Sequence, residues 1–345
     1  EFRRVLFRSM SMLGTAEFCQ KGAADLAVQL FAHSDYSLLE STITVSELVR
    51  CARDLGYDAV GLADHNTTGG HVELARACQD WGLTPVFGLE LDVAHPDGNG
   101  CGDSRVSRLV FFAKGQQNYR HLQRLCSLPQ PVAWHVLAEY APGLVMTSGG
   151  LRGELYILAA AGRWDEVKQV AREYDVLFGP DWYVQLEWDT PAEFKTAQAL
   201  AALFGESRCV ASQNVCYLAL DDRTALQVLT ASRLEKKASE VMITARPLLG
   251  RKQFIEEFSR FPKALANTRQ VLSQCAFELP RQQGLPRLPE AASLEEAVRV
   301  GAERRYGKLK GPVLERIQHE LQVIREMGLA DYFLIVADIV RYAKE

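Results

Sequence analysis

Residues Phe31 to Glu90 carry most of the information about the fold, and they read FAHSDYSLLESTITVSELVRCARDLGYDAVGLADHNTTGGHVELARACQDWGLTPVFGLE. Three apolar segments typical of β-strands end within this stretch. Each ends at a residue type that binds metals: His33, then Asp64 with His65, then Glu90. One histidine at a strand end is usually just a hydrogen-bonded loop residue. Three such ends in consecutive strand–helix units predict a shared site at one mouth of a barrel.

The chain up to about residue 220 alternates between strand and helix patterns. A helix is predicted to begin at Thr44, because Thr44 and Glu47 have the spacing of a capping box, and to end at Gly56. Val60 and Leu62 are predicted to be buried on opposite faces of the second strand. Seven strands are predicted, over Leu26–Ala32, Ala59–Ala63, Pro85–Leu89, Leu109–Ala113, Leu144–Thr147, Tyr183–Leu186 and Cys209–Ala211. The pattern indicates an α/β fold, a distorted seven-stranded (β/α) barrel with parallel strands.

The pattern after Tyr217 is helical, and a segment with three prolines, Pro280–Pro289, is a predicted linker. The predicted helices cover Arg223–Lys236, Lys252–Phe258, Pro262–Cys275, Leu294–Tyr306 and Pro312–Met327. The chain therefore consists of a barrel, a helical extension and a second helical segment beyond the linker.

The composition is that of a globular protein with one large domain and part of another. Of the 345 residues 48% are hydrophobic, and the formal net charge is −4 at pH 7. The eight cysteines are scattered, which favours reduced thiols over a disulfide framework. No apolar run is long enough to cross a bilayer, so we expect a cytoplasmic protein. The slightly acidic balance argues against a dedicated nucleic-acid-binding module but permits a local basic face.

Both ends of the chain look unusual. The first residues, EFRRVLFRS, are basic and apolar but lack the long apolar core of a signal peptide. We therefore expect residues 1–12 to be a non-native scar, with the native start at Met10 or Met12. The sequence stops inside an apolar helical pattern over residues 332–340, which predicts a fragment of a longer protein.

Two segments resemble a known family. The runs HSDYSLL, LADHN and GLE, with the helix start STITVSELV, resemble the PHP (polymerase and histidinol phosphatase) domain of bacterial C-family replicative DNA polymerases, the DNA polymerase III alpha subunits, in a Firmicutes-like version. The run ELQVIREMGLADYFLIVADIVRYAKE, from Glu320 to Glu345, is similar to the start of the polymerase palm in the same family. The two segments follow each other in the family's order.

The resemblance implies an organisation and a function. Residues 13–280 would form the PHP domain, with the barrel reaching about residue 220, and residues 281–345 would form a linker and the start of the palm. The full-length parent would be a DNA-directed DNA polymerase, a nucleotidyltransferase whose partners are DNA and other replisome subunits and not a membrane. Its Mg²⁺ ions would be held by palm carboxylates that lie beyond Glu345, so this chain alone would not polymerise DNA. Whether the parent is the main replicase or an error-prone paralogue stays open.

The second helical segment has a local excess of cations. This excess favours a solvated helix face, and it leaves open a contribution to the DNA path of the palm. The cations are Arg299, Arg304, Arg305, Lys308, Lys310 and Arg316.

The resemblance implies that part of a metal site is retained. Active PHP domains have a His-x-His pair whose second member corresponds to His33, and the acidic residue after this motif corresponds to Glu40. His65, which follows Asp64, and Glu90 match the family's positions. The candidate metal ligands are therefore His33, His65 and Glu90.

Other positions of the implied site have changed. The first His of the pair is Phe31, the family's His before the fourth strand is Arg108, and the Cys of its Ser-Gly-Cys turn is Gly150. The Asp and His of its late Asn-Asp-Val-His motif are Asn214 and Cys216. The vestigial site is expected to comprise His33, Glu40, Asp64, His65, Glu90, Arg108, Asn214 and Cys216.

These changes bear on function. A multinuclear centre needs several carboxylates and imidazoles, whereas Arg108 places a permanent cation among them. We therefore expect no metal cluster, leave open a single weakly held ion, and expect Arg108 to pair with Glu90 or Glu40. The first interpretation is an inactive PHP scaffold. The alternatives are a metal-dependent phosphoesterase or 3′-5′ proofreading nuclease in the barrel, and a module that docks a separate proofreading exonuclease.

Overall fold

The computed structural model of the chain describes residues 26–95, 105–241, 243, 247–279, 287–288 and 293–344. The strands are β1 Val28–Gln29, β2 Ala59–Leu62, β3 Thr84–His95, β4 Arg105–Ala113, β5 Val132–Ala133, β6 Leu144–Thr147, β7 Trp182–Leu186 and β8 Cys209–Ala211. The α-helices are α1 Val45–Asp54, α2 His71–Trp81, α3 Tyr119–Cys126, α4 Glu154–Ala160, α5 Trp164–Phe178, α6 Pro191–Phe204, α7 Asp222–Arg233, α8 Arg251–Glu257, α9 Pro262–Cys275, α10 Leu294–Tyr306, α11 Gly311–Glu326 and α12 Ala330–Tyr342.

The strands form one curled sheet. Its order is β1-β2-β3-β4-β6-β7-β8, and the short strand β5, which the sequence did not predict, pairs with β3. A parallel bridge between Ala32 and Val215 joins the end of β1 to the segment that follows β8. The His33 amide donates to the Val215 carbonyl at 2.9 Å in this bridge. The two edges of the sheet therefore meet, which supports the predicted distorted barrel.

The prediction that all strands are parallel is wrong at β4. This strand runs antiparallel to both β3 and β6, whereas the pairs on either side of it are parallel. Only residues 96–104 connect β3 to β4, and a parallel crossover needs about a dozen residues or more. The reversal brings the amino end of β4, where Arg108 lies, to the same mouth as the carboxyl ends of the other strands.

Two apolar layers lie on the two faces of the sheet. Val60 and Leu62 pack in the outer layer with Val45 and Leu48 of α1. The prediction that Val60 and Leu62 face opposite sides is wrong, because residues two positions apart share a face of a strand. Both are fully buried, as predicted. The inner layer takes residues from the strands around the barrel and from α9: Val28, Ala59, Val86, Val110, Phe112, Val145, Tyr183, Val210, Val271 and Leu272.

Helix α1 begins with the capping box that the sequence predicts. The Thr44 hydroxyl accepts from the Glu47 amide, and the Glu47 carboxylate accepts from the Thr44 amide, so the capping box is present. Such a cap stabilises a helix by about 1 kcal/mol. Gly56 follows the helix with a φ of +86°, a backbone conformation that favours glycine. The cap and the glycine together fix how the chain enters and leaves the outer layer.

The chain divides into two compact units, with the boundary between Leu279 and Pro280. The first holds the barrel with α1–α9, and the second holds α10–α12. The segment 1–12 lies outside the described residues, as does the predicted linker except for residues 287–288. Among the described residues the six cysteines are free thiols, and no helix is long and apolar enough to span a membrane.

Candidate functional site

Arg108 is the centre of a buried ion-pair cluster at the barrel mouth. Its Nη1 donates to Glu40 Oε2 at 2.6 Å and to Glu90 Oε2 at 2.7 Å, and its Nη2 donates to Glu40 Oε1 at 2.8 Å. The Glu90 side chain is fully buried, and those of Glu40 and Arg108 are 3% and 13% exposed. Burial alone would raise the pKa of Glu40, but hydrogen bonds from Arg108 and His65 hold it well below its usual value. Arg108 thus contacts both carboxylates that the sequence offered as its partners.

Two further arginines, which the sequence reasoning missed, approach the same carboxylates. Arg152 Nη1 lies 2.9 Å from Glu40 Oε2 and 3.8 Å from Glu90 Oε2, and Arg233 Nη1 lies 3.8 Å from Glu40 Oε1. Arg152 follows β6 and Arg233 ends α7. Neither had a local sequence signal, because only the closed barrel brings these elements together.

The Gly149-Gly150 turn explains how Arg152 reaches the site. Gly149 has a φ of +75°, and a Cβ on it would lie 1.9 Å from the Arg108 carbonyl oxygen. A Cβ on Gly150, where the family's cysteine is expected, would lie 2.3 Å from the Glu187 carboxyl carbon. The turn therefore packs directly against the strand of Arg108, and a side chain at Gly150 conflicts with Glu187.

His65 is held between two carboxylates. Its Nδ1 lies 3.0 Å from Glu40 Oε1, and its Nε2 lies 3.0 Å from Asp92 Oδ2. Burial lowers the pKa of His65, but the hydrogen bonds to Asp92 and Glu40 outweigh it and raise the pKa to about 9. Arg108 Nη2 also lies 3.3 Å from Nδ1, and Asn66 Nδ2 lies 3.0 Å from Nε2, so both ring nitrogens are already in contact with protein groups. Asp92 was not predicted, although its position two residues after Glu90 places it on the same face of β3.

His33 has a definite tautomer. Ser37 Oγ donates to Asp64 Oδ1 at 2.6 Å and accepts from the His65 amide at 3.0 Å. Ser37 Oγ must therefore also accept from His33 Nδ1, which lies 3.0 Å away. Nε2 of His33 is left with its lone pair, without a hydrogen-bond partner, 3.7 Å from Glu90 Oε2. Burial lowers the pKa of His33 to about 4, so the ring is neutral.

Asp64 has a local role. It accepts from the Ser34 amide at 2.6 Å, the Ser34 hydroxyl at 2.7 Å and the Ser37 hydroxyl. Burial raises the pKa of Asp64, while these hydrogen bonds oppose the rise. Asp64 therefore orders the loop that carries Ser37 and, through it, the ring of His33.

The two late candidates and Phe31 do not supply good ligands. Cys216 Sγ lies 3.2 Å from Asn214 Oδ1, and burial raises the pKa of Cys216 to about 12, so the thiol keeps its proton. Phe31 is buried, and its ring centroid lies 4.9 Å from that of His33 in an edge-to-face contact. The position of the family's first histidine is therefore apolar packing.

The described residues do not fit a multinuclear metal centre. Ligand atoms of Glu40, His65 and Glu90 lie within 4.8 Å of one another, but Arg108 already bonds both carboxylates, and both ring nitrogens of His65 already contact protein groups. Among the described residues of this site, the buried side-chain atoms left without a hydrogen-bond partner are His33 Nε2 and Glu90 Oε1. These two atoms are fewer than the three or four protein ligands of ordinary zinc sites.

Two family comparisons match separate parts of the chain. Residues 29–187 match the family described as PHP domain. Residues 292–345 match the family described as bacterial DNA polymerase III alpha NTPase domain. The first match contains the whole ion-pair cluster except Arg233, whereas Asn214 and Cys216 lie outside both.

Curated relatives match nearly the whole chain. DNA polymerase III subunit alpha of Aquifex aeolicus (strain VF5) is 27% identical, over 92% of this chain and 31% of the relative. Error-prone DNA polymerase of Symbiobacterium thermophilum is 30% identical, over 92% of this chain and 32% of the relative. The chain thus spans about a third of the length of these relatives. A solved structure from Bifidobacterium adolescentis, described as a candidate metal-dependent phosphoesterase, is 15% identical over 86% of this chain and 74% of that one, with a TM-score of 0.26.

Proposed function

We propose that this chain, which resembles the bacterial DNA polymerase III alpha subunits over 92% of its length, forms the amino-terminal part of a DNA-directed DNA polymerase of that family. The two family matches support the proposal, because they occur in one chain and in the order that the resemblance implies. Relatives of both the replicative and the error-prone kind match equally long parts of the chain, so the proposal covers both.

The proposal assigns a role to each part. Residues 13–280 form the PHP domain, and residues 281–345 form the linker and the start of the palm. The complete polymerase works in the cytoplasm on DNA with other replisome subunits, and it uses Mg²⁺ for nucleotidyl transfer. The test uses the complete polypeptide, which should extend a primed template when Mg²⁺ is supplied. No extension under conditions where a related polymerase works would reject the assignment.

The PHP barrel acts as a scaffold in this proposal, and Arg108 is the observation that carries it. The neighbouring carboxylates of Glu40, Glu90 and Asp92 need positive charge beside them. In a metal-binding barrel, metal ions would supply that charge. In this chain Arg108 lies within 3.4 Å of all three. Charge balance is thus provided by the protein itself, and the fold does not depend on an ion.

Metal removal tests the scaffold proposal. We expect the purified chain to carry less than one equivalent of zinc or manganese by elemental analysis, and its melting temperature to be unchanged by EDTA. A chelator acts on the folded state only if an ion binds it more tightly than the unfolded chain. Stoichiometric metal together with a lower melting temperature in EDTA would show a working metal centre.

A metal-dependent phosphoesterase or 3′-5′ proofreading nuclease in the barrel is the second candidate. The two unpartnered atoms, His33 Nε2 and Glu90 Oε1, favour it, since both can ligate one ion. Hydrolysis of bis-p-nitrophenyl phosphate in the presence of Mn²⁺ or Zn²⁺ tests it. Activity that is lost in both His33→Ala and Glu90→Gln would establish this function and reject the inactive scaffold.

A separate proofreading exonuclease is the partner we propose for the scaffold. The loop that follows His33 exposes apolar side chains beside the mouth, with Leu38 80% and Tyr36 41% exposed. Leu39 and Asn66 in the same region have φ values of +61° and +58°, and strained residues of this kind cluster at functional sites. Leu38→Glu should weaken co-elution with the organism's own exonuclease, whereas Val176→Glu on α5, where the residue is 83% exposed, should not.

A further inference from the structure

The C-terminal unit contains two kinds of arginine. The four paired arginines have acidic partners on their own or a neighbouring helix: Arg299 with Glu296 and Glu303, Arg316 with Glu320, Arg325 with Glu295, and Arg341 with Asp338. Most of the cations of α10–α12 are therefore paired with acidic side chains on ordinary solvated helix faces. They have no need of a further anion.

The segment Arg304–Lys310, here called the basic turn, differs from them. It reads RRYGKLK and holds four cations and no acidic residue. All four cationic side chains are exposed, and none has an acidic partner within the described part of the chain. Tyr306, between the arginine pair and the lysine pair, is 60% exposed. The sequence analysis grouped these four cations with Arg299 and Arg316, which the structure separates from them by their ion pairs.

Four neighbouring unpaired cations repel one another, so an anion with closely spaced charges binds them favourably. A nucleic-acid backbone has this property, and each neutralised phosphate releases a counterion. Helix α11, 16 residues long, begins directly after Lys310, and its amino end adds positive potential. An exposed tyrosine among the cations offers a stacking surface for an unpaired base. An acidic protein segment would use the cations but not the ring.

We propose that the basic turn binds the backbone of single-stranded DNA, with one base stacked on Tyr306. This inference rests on the proposed polymerase function and adds a contact that lies in the C-terminal unit. Four cations predict a slope of about −3 for the logarithm of affinity against the logarithm of salt concentration on a single strand.

The test measures fluorescence anisotropy of a labelled oligothymidylate of about 16 nucleotides with the intact 345-residue chain. Salt is varied between about 50 and 200 mM. The turn variant carries Gln at the four cations of the basic turn. The matched control carries Gln at the four paired arginines, so that both variants lose the same net charge. Circular dichroism verifies that each variant is folded.

The turn variant should lose at least about tenfold in affinity and most of the salt slope, while the control retains both. Tyr306→Leu should weaken single-strand binding more than duplex binding, and an oligonucleotide with 5-iododeoxyuridine should crosslink to Tyr306.

Unchanged binding by the turn variant, or an equal loss in the control, would overturn the inference. Equal competition by polyglutamate would assign the turn to an acidic protein instead. Primer extension by the complete polypeptide does not depend on this result, so failure here and failure of the polymerase assignment are distinguishable.

Discussion

Arg108 links a single sequence change to the stability of the barrel. Replacing it with Ala leaves Glu40 and Glu90 buried without their main partner, and breaking a buried pair in this way costs about 3–5 kcal/mol. Urea unfolding of Arg108→Ala should show this loss in the free energy of unfolding. Arg163→Ala is the matched control, because the Arg163–Glu166 pair is half exposed and its removal should cost less than about 1 kcal/mol.

A double variant separates the charge effect from lost packing. If Arg108 stabilises the barrel by neutralising Glu90, Arg108→Met with Glu90→Gln should recover part of the stability lost in Arg108→Met alone. Additive losses in the two single variants would mean that the pair has no coupling and that Arg108 contributes only packing.

Glu154 on α4, away from the barrel mouth, should make the free energy of unfolding depend on pH. It is buried beside His95 at 3.5 Å and Arg105 at 3.1 Å. Burial raises its pKa from 4.5 to about 7, against the opposing effect of Arg105 and with smaller contributions from Glu166 and Glu173. Because the folded pKa lies above the unfolded one, the stability that this group contributes is complete at low pH and is lost as the pH rises through about 7.

Glu154→Gln removes this titration. The variant should match the wild type near about pH 5 and exceed it by about 1–3 kcal/mol near pH 8, since one pKa unit corresponds to about 1.4 kcal/mol. Urea unfolding at the two pH values measures the difference. A variant that is less stable than the wild type at the higher pH would show that the Arg105–Glu154 pair outweighs the cost of burial.

At the residue scale, the strand pattern predicted His33, His65 and Glu90, and the resemblance implied Glu40 and Arg108. The structure places these five side chains together at one mouth. Arg152 and Arg233 escaped prediction, because their approach depends on turns and helices that no local pattern aligns with the strands. The role of Asp64 was equally hidden, because its partners are hydroxyls of a loop.

At the scale of elements, strand positions were predictable from apolar runs, but strand direction was not read from them. The length of the connection between His95 and Arg105 contained the missing information. A loop of that size permits only the antiparallel arrangement. The reversal places Arg108 in the amino-terminal half of β4, whereas His33 and His65 follow β1 and β2, and Glu90 lies within β3, which continues to His95 beyond its predicted end.

Strand β2 permits a test of the outer layer. Val60 and Leu62 are both fully buried against α1, so Val60→Ala and Leu62→Ala should each cost about 2–4 kcal/mol through the cavity that they leave. Val72→Ala is the control, since Val72 lies on α2 with 54% of its side chain exposed, and it should change stability by less than about 0.5 kcal/mol. Equal unfolding midpoints for all three variants would contradict the buried-strand assignment.

At the scale of the whole molecule, the sequence predicted the order of parts better than their chemistry. The resemblance at the two ends indicated a barrel followed by a polymerase segment, and the two family matches lie in that order. The division lies between Leu279 and Pro280, where the proline-containing segment begins in the sequence. What the barrel does could not be predicted from composition, because it depends on whether a cation of the protein or a metal ion balances the carboxylates.

This chain alone should not catalyse nucleotidyl transfer. Nucleotidyl transfer needs carboxylates that hold two Mg²⁺ ions, and the resemblance implies that the paired palm aspartates lie beyond Glu345. Of the two aspartates of α12, Asp338 pairs with Arg341 and Asp331 lies two turns away along the helix. The purified 345-residue chain should therefore incorporate no nucleotide on a primed template with Mg²⁺, whereas the complete polypeptide should. Extension that co-purifies with the chain and disappears in Asp331→Asn or Asp338→Asn would place a polymerase centre within these residues.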